Sequence, residues 1–272
     1  MIPSPKHHLS PAERLGLGSL TLAGVTAFAA PALSVAILMF FLTCCGVAPF
    51  FPKVSFFLPI ISQGKKNKTT IALTFDDGPC PDSTPYILHL LAQNNITATF
   101  FIIGEKAAQY PELIKKILEN GHSIGNHSWS HDNLLMFRNS DNLAQDLRKT
   151  QQILAEFDIR PLAFRPPVGI TGPRLGQVME ELDMYTVNFS CRAFDRGNRR
   201  VRGLAQRILG RIKAGDILLL HDNRSFQDEQ KEIWQNELAH LLSTLDTRFQ
   251  VAPLEKLTGR PVMERITVQK SA

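Results

Sequence analysis

Residues 74–79 read Thr74-Phe75-Asp76-Asp77-Gly78-Pro79, and the apolar run Ile71-Ala72-Leu73 before them stops at two adjacent carboxylates. An apolar run that ends in Gly-Pro is the pattern of a buried parallel strand closed by a sharp turn. Acids at the mouth of such a strand sit where α/β folds collect ligand and catalytic groups, because loops vary there while strands hold position. A turn-forming acidic pair would look the same in isolation. The stretches that follow decide between the two.

After Thr69 the sequence alternates strand-like and helix-like stretches, the pattern of an α/β protein. Strands are expected near 70–76, 97–103, 122–126, 162–165, 184–189, 216–221 and 248–251. Helices are expected near 83–94, 105–120, 141–157, 172–182, 200–213 and 230–245. Turn chemistry marks several boundaries, among them Asn120-Gly121 and Ala214-Gly215-Asp216.

Four further stretches end strands in chemically active residues. In Gly121-His122-Ser123-Ile124-Gly125-Asn126-His127-Ser128-Trp129-Ser130-His131, the imidazoles of His127 and His131 are four apart, a spacing that one turn of helix would bring to one face. With one carboxylate they make a facial metal set that leaves positions open for water and substrate. Phe164-Arg165-Pro166-Pro167-Val168-Gly169 supplies a permanent cation on a stiff backbone. Arg165 is expected to hold a catalytic carboxylate, and the Val168 N–H, which the prolines lack, to face a developing oxyanion. Ser190-Cys191-Arg192-Ala193-Phe194-Asp195 ends in an acid, and Leu218-Leu219-Leu220-His221-Asp222 in an imidazole. If the strands form a barrel, all five strand mouths converge.

Order, spacing and strand context together resemble the five motifs of the polysaccharide deacetylases of carbohydrate esterase family 4, over roughly residues 69 to 260. The resemblance implies a distorted parallel (β/α) barrel of about seven strands. It also implies metal-dependent removal of N-acetyl, or O-acetyl or formyl, groups from a glycan or lipid-linked amino sugar. Carried over residue by residue, it makes Asp76 the general base and Asp77, His127 and His131 the metal ligands. It makes His221 the general acid, Asp195 the acid that orients His221, and Arg165 the support of the constellation. The implied metal is divalent, zinc first, with cobalt, nickel or manganese as substitutes. The chain departs from the family at Val168 and Arg196, where groove aromatics are usual, so less stacking surface is expected. Arg192, Arg196, Arg199, Arg200 and Arg202 cluster beside the second departure. A solvated face is the plain reading; the sharper one is a wall facing phosphate or acidic lipid headgroups.

Ahead of this domain no Asp, Glu, Lys or Arg occurs between Arg14 and Lys53, about 38 residues where roughly 20 suffice to span a bilayer. One reading is a helical hairpin, Leu15 to Phe28 and Leu33 to Val47, bent at Ala30-Pro31. Others are a single transmembrane span near Pro31 to Phe51, or a leader with a cleavage-like Ala27-Phe28-Ala29. Lys6 and Arg14 before the gap, and Lys53, Lys65, Lys66 and Lys68 after it, favour the hairpin with the domain on the cytoplasmic side of a bacterial inner membrane over a periplasmic one. The expected organisation is a membrane-anchoring region over 1–62, a deacetylase domain over 69–260 and a tail over 261–272.

A net charge of +5 is mild and calls for no nucleic-acid partner. Four cysteines make no secreted framework; Cys44 and Cys45 fall in the apolar stretch, and Cys80 and Cys191, near the motifs, are expected as free thiols, with a disulfide only in the exported topology. Two other classes compete. A phosphatase of the haloacid-dehalogenase type wants its acids in an Asp-x-Asp pattern and does not need His127 or His131. A catalytically silent, membrane-tethered glycan-binding protein would have lost the base or a ligand, and this chain has neither loss.

Overall fold

The computed structural model describes residues 9–64, 69–195, 197–223 and 228–266. Lys6, Lys65, Lys66, Lys68, Arg196 and the last six residues of the tail lie outside them. Two helices, α1 (Pro11–Thr26) and α2 (Pro31–Val47), pack against each other as a hairpin. The sequence starts both cleanly. Ser10 caps α1 in a reciprocal box with Glu13, and a proline sits in the first turn of each helix. The Phe41 ring lies close against Gly16, 3.0 Å from where a Cβ would stand. The outward faces are apolar: Val25, Val35, Met39 and Phe40 are exposed, and Phe28 at the turn is fully so. With its short helical extension α2 reaches Phe50 and is long and apolar enough to cross a bilayer. Alone, α1 at 16 residues rises only about 24 Å, short of a hydrocarbon core about 30 Å thick.

The rest of the chain follows the strand–helix alternation. In order come β1 (Ile60–Ile61), β2 (Thr70–Gly78), α3 (Thr84–Gln93), β3 (Thr99–Ile102), α4 (Gly104–Gln109), α5 (Pro111–Glu119), β4 (Ser123–Asn126), α6 (Ser140–Ala155), β5 (Ile159–Pro161) and β6 (Ala163–Phe164). There follow α7 (Leu175–Glu181), β7 (Tyr185–Val187), β8 (Cys191–Arg192), α8 (Leu204–Leu209), β9 (Ile217–His221), α9 (Asp228–Arg248), β10 (Gln250–Val251), α10 (Leu254–Thr258) and β11 (Met263–Arg265). The one helix expected over 105–120 is two, because Pro111 cannot continue α4.

Among the described residues nine strands form one sheet in the order β1-β7-β6-β4-β3-β2-β9-β8, with β10 also on β2, and every pairing in it is parallel. β7 and β8 lie near opposite ends of that order yet are separated by only three residues. The chain through Asn188-Phe189-Ser190 therefore bridges the ends, aided by Ser190 N–H to Ile217 C=O at 3.1 Å. This is the expected distorted barrel. The two-residue strands β1 and β8 were too short to show a period. Ile60–Ile61, ahead of the 69–260 stretch, joins the sheet on β7, and Met263–Arg265, after it, pairs antiparallel with β5.

Alternation along β2 sorts the two sides of the wall. Ile71, Leu73 and Phe75 face the outer helices in the largest core cluster, which includes Trp234 of α9. Ala72 faces the barrel interior with Phe101, Val187 and Leu219, plugged below by Leu254 and Leu257 of α10. Thr74 and Asp76 follow Ala72 at the same parity, so the interior turns polar toward the strand mouths.

Candidate active site

The β2 mouth departs from regular strand geometry. Successive strand residues point to opposite faces, so Asp76 and Asp77 should diverge. The register against β3 slips between Asp76 and Gly78, and Asp77 takes φ 70°. That bulge returns the second carboxylate to the side of the first. Both then face one imidazole, with Asp76 Oδ2 3.8 Å and Asp77 Oδ1 3.4 Å from His127 Nε2. One backbone and one side-chain donor hold the bulge: Asp222 N–H reaches Asp76 C=O at 2.7 Å, and Lys106 Nζ reaches Asp77 C=O at 2.6 Å.

His127 and His131 do meet, with ring centroids 5.0 Å apart, but not on a helical turn. The segment after β4 is a loop in which Ser128 and His131 take φ 72° and 53°. Asn126 Oδ1 accepts from Ser128 N–H, and Ser128 Oγ accepts from His131 N–H. Side-chain acceptors replace the helical ladder here, which is why a helix-based spacing argument reached the right pair through the wrong geometry.

Arg165 is fully buried in the barrel mouth. Its Nη1 donates to Asp76 Oδ1 and to Thr74 Oγ1, each at 2.7 Å. Nε donates to Val187 C=O at 3.2 Å and Nη2 to Asn188 C=O at 3.1 Å, while the guanidinium lies 4.0 Å over the Phe101 ring. Burial pulls its pKa down, and the Asp76 carboxylate opposes that. Its own carbonyl accepts from His127 Nδ1 at 2.7 Å. This fixes the tautomer, leaving the Nε2 lone pair aimed at Asp77.

Asp77 Oδ1 also lies 3.1 Å from His131 Nε2, so the donor atoms of Asp77, His127 and His131 fall within 4.8 Å of one another. Burial works against ionisation of Asp77. With the imidazoles protonated, the hydrogen bonds of His127 and His131 and the charges of His127 and His221 outweigh it and hold its carboxyl well below the usual range. An ionised carboxylate and two imidazoles, one with its tautomer fixed, fit a divalent transition metal.

β9 runs beside β2 in a register that sets His221 opposite Asp76. His221 Nδ1 lies 2.9 and 3.0 Å from the two oxygens of buried Asp195. Burial disfavours its charged form, but that hydrogen bond and the charges of Asp195, Asp77 and Asp76 prevail and raise its pKa to about 9. Val168 sits at the rim, half exposed, at φ 52°. All eight residues singled out in the sequence thus gather: seven line or touch one cleft of about 870 Å³, and Arg165 lies beneath it. Phe194, 47 % exposed, also lines the cleft, so an aromatic surface survives the departures at Val168 and Arg196.

Asp222 went unread in the sequence. It is fully buried behind the β2 turn and accepts from Ser83 Oγ and Thr84 Oγ1 at 2.6 Å each. A Cβ on Gly78 would come within 2.4 Å of its carboxylate, so only glycine fits there. Its adjacency to His221 was the one available signal. Cys80 and Cys191 are free and buried, and burial pushes the Cys191 thiol up to about 11.

A family model for polysaccharide deacetylase matches residues 63–187. The peptidoglycan-N-acetylglucosamine deacetylase PgdA of Listeria monocytogenes is 34% identical over 165 residues, which are 61% of this chain and 34% of that protein. The chain therefore matches about a third of that relative's length. A chitooligosaccharide deacetylase of Azorhizobium caulinodans is 33% identical over 159 residues, 58% of this chain and 75% of that one. Among solved structures, peptidoglycan deacetylase PdaC from Bacillus subtilis superposes with a TM-score of 0.62 at 28% identity, over 71% of this chain and 91% of that one.

Burial pushes the Asp222 carboxyl up to about 6 against its two hydroxyl donors. A folded-state pKa above the unfolded value near 3.9 means the folded protein binds the extra proton. Stability is then greatest below that value and falls as pH rises toward 6. Urea midpoints between pH 4 and 7 should therefore decline more steeply for the wild type than for Asp222→Asn. Parallel slopes would contradict the assignment.

Proposed function

The chain belongs to the polysaccharide deacetylase family, and from that premise we propose that it is a metal-dependent hydrolase removing the N-acetyl group of an amino sugar in a glycan or lipid-linked precursor. The observation that carries this is one cleft lined by the Asp77–His127–His131 donor set, by Asp76 with Arg165 beneath it, and by the Asp195–His221 pair. Asp77, His127 and His131 would hold the divalent ion, zinc in the first instance. When bound, such an ion supplies Lewis acidity, polarising an acyl carbonyl and bringing the pKa of water from about 15.7 toward 7.

The chain's own residues do the rest. Asp76 takes the proton of the attacking water through Oδ2, because Arg165 occupies Oδ1. The Val168 N–H faces the developing oxyanion. His221 enters as imidazolium, as its raised pKa requires, and gives its proton to the departing amine. Asp195 positions that ring and sustains its charge. Barrel and cleft form the 69–260 unit with the short strands at either end, and the hairpin tethers it to a membrane. Arg14 and Lys53 flank that hairpin, and the positive-inside preference for such residues favours the cytoplasmic side for the domain.

Chelation should abolish acetyl release, and added zinc restore it. His131→Ala should lose bound zinc, whereas His221→Ala should keep it while kcat falls by roughly 10²–10⁴. Zinc lost from His221→Ala would contradict the assignment of acid and ligands. A reporter fused after Ala272 and active only in the cytoplasm should give signal; signal from a periplasmic reporter would reverse the orientation.

A further inference from the structure

Metal and proton chemistry account for the floor of the cleft but not for one of its walls. That wall is basic: Arg192, Arg199, Arg200, Arg207 and Arg211 all line it. The carboxylates of the same cleft are already engaged, Asp76 with Arg165, Asp77 with the two imidazoles and Asp195 with His221. Among the described residues, none of those five arginines forms an ion pair.

The wall is also ordered. Arg207 is spent on the backbone, donating to the carbonyls of Ala193, Arg200 and Arg202, and so fixes the loop that carries the others. The Arg192 and Arg211 guanidinium groups lie 4.4 and 5.3 Å from the centre of one ring, Phe194, itself held at φ 54°. A solvated charged face spreads its cations outward. Here four of them, exposed and in no ion pair among the described residues, line one side of a single concavity, where an anion would meet several guanidinium groups at once.

We infer that Arg192, Arg199, Arg200 and Arg211 form an anion subsite, and that the substrate is an acylated amino sugar bearing a phosphate or diphosphate ester. The sugar half of this inference rests on the deacetylase reading above; the anion half does not. A lone carboxylate is satisfied by one guanidinium fork, whereas several unpaired guanidinium groups match the charge and the many acceptor oxygens of phosphate. Such a phosphate can belong to a soluble sugar phosphate or to a lipid-linked one. The surroundings favour the lipid-linked source. The chain leaving α2 runs along the same rim, with Pro49 C=O accepting from Thr171 N–H and Pro52 C=O from Asn188 Nδ2. An apolar crevice of about 700 Å³ lies between the hairpin and Met136, Phe137, Gly172 and Pro173, on the loops that also supply Asn133, Val168 and Gly169 to the cleft. A hydrocarbon chain can leave along it while its phosphate meets the arginines.

The test is calorimetric binding to the metal-free full chain in detergent, using four probes. These are N-acetylglucosamine 1-phosphate, its polyprenyl phosphodiester, neutral diacetylchitobiose and N-acetylmuramic acid. Both phosphate probes should bind at least tenfold tighter than the neutral and carboxylate probes, and the polyprenyl ester tightest. The Arg192→Gln/Arg211→Gln double variant should lose that margin. If its thermal transition is lost, Arg199→Gln, away from the Phe194 stack, should reduce the margin instead. Equal binding of phosphate and neutral probes, or of phosphate and carboxylate probes, overturns the subsite; a free sugar phosphate binding as tightly as its ester overturns the lipid-linked source. Acetyl release by the zinc-loaded chain is scored separately. Phosphate binding without release from any probe would sink the deacetylase reading and leave the subsite standing.

Discussion

The site depends on a single buried cation. Arg165 has no access to water, so each donor must be met within the protein. Strands on both sides of the barrel mouth supply the acceptors: Thr74 and Asp76 from β2, and the carbonyls of Val187 and Asn188 at the end of β7. The same residue's carbonyl sets the His127 tautomer. The proposed general base, Asp76, and the proposed metal ligand, His127, are thereby hung on one side chain and its own backbone. Removing the guanidinium would leave Asp76 buried without its partner, a loss of about 3–5 kcal/mol for pairs of this kind. Lysine cannot make the same fork of contacts.

Around that anchor the backbone is bent into conformations that L-residues seldom adopt. Asp77, Ser128, His131, Val168 and Phe194 all have positive φ and all sit at the cleft or in the loop that shapes it. Positions of this kind persist where surrounding contacts over-determine them. Asp222 and Lys106 clamp the Asp77 bulge, Ser128 is bonded by Asn126, and Phe194 lies against two guanidinium groups. Aiming neighbouring side chains at one point is what this strain accomplishes.

Much of this was legible in the residues, for physical reasons. A charge-free run ending in acids marks a strand and its mouth, and parallel strands gather their mouths, so Asp76, Asp77, Arg165 and His221 could be placed together before any coordinates. Strands of two residues, such as Ile60–Ile61 and Cys191–Arg192, carry no readable period. The His127–His131 loop was misread as a helical turn because spacing alone does not register the Asn126 and Ser128 acceptors. Asp222 was missed because its partners, Ser83 and Thr84, lie about 140 residues away in sequence. The arginine cluster was visible as composition, but which members face the cleft was not. Arg207 and Arg211 line it although the sequence did not single them out, and Arg202, singled out, is not among the lining residues.

Asp77, His127 and His131 are proposed to bind a divalent metal beside Asp76 and His221. X-ray absorption at the zinc edge of the zinc-loaded full chain tests it most directly. Two imidazole nitrogens and carboxylate or water oxygens are expected at about 2.0–2.2 Å, with no sulfur. A sulfur scatterer at about 2.3 Å, drawn from Cys80 or Cys191, or a zinc ion without imidazole scattering, would contradict it.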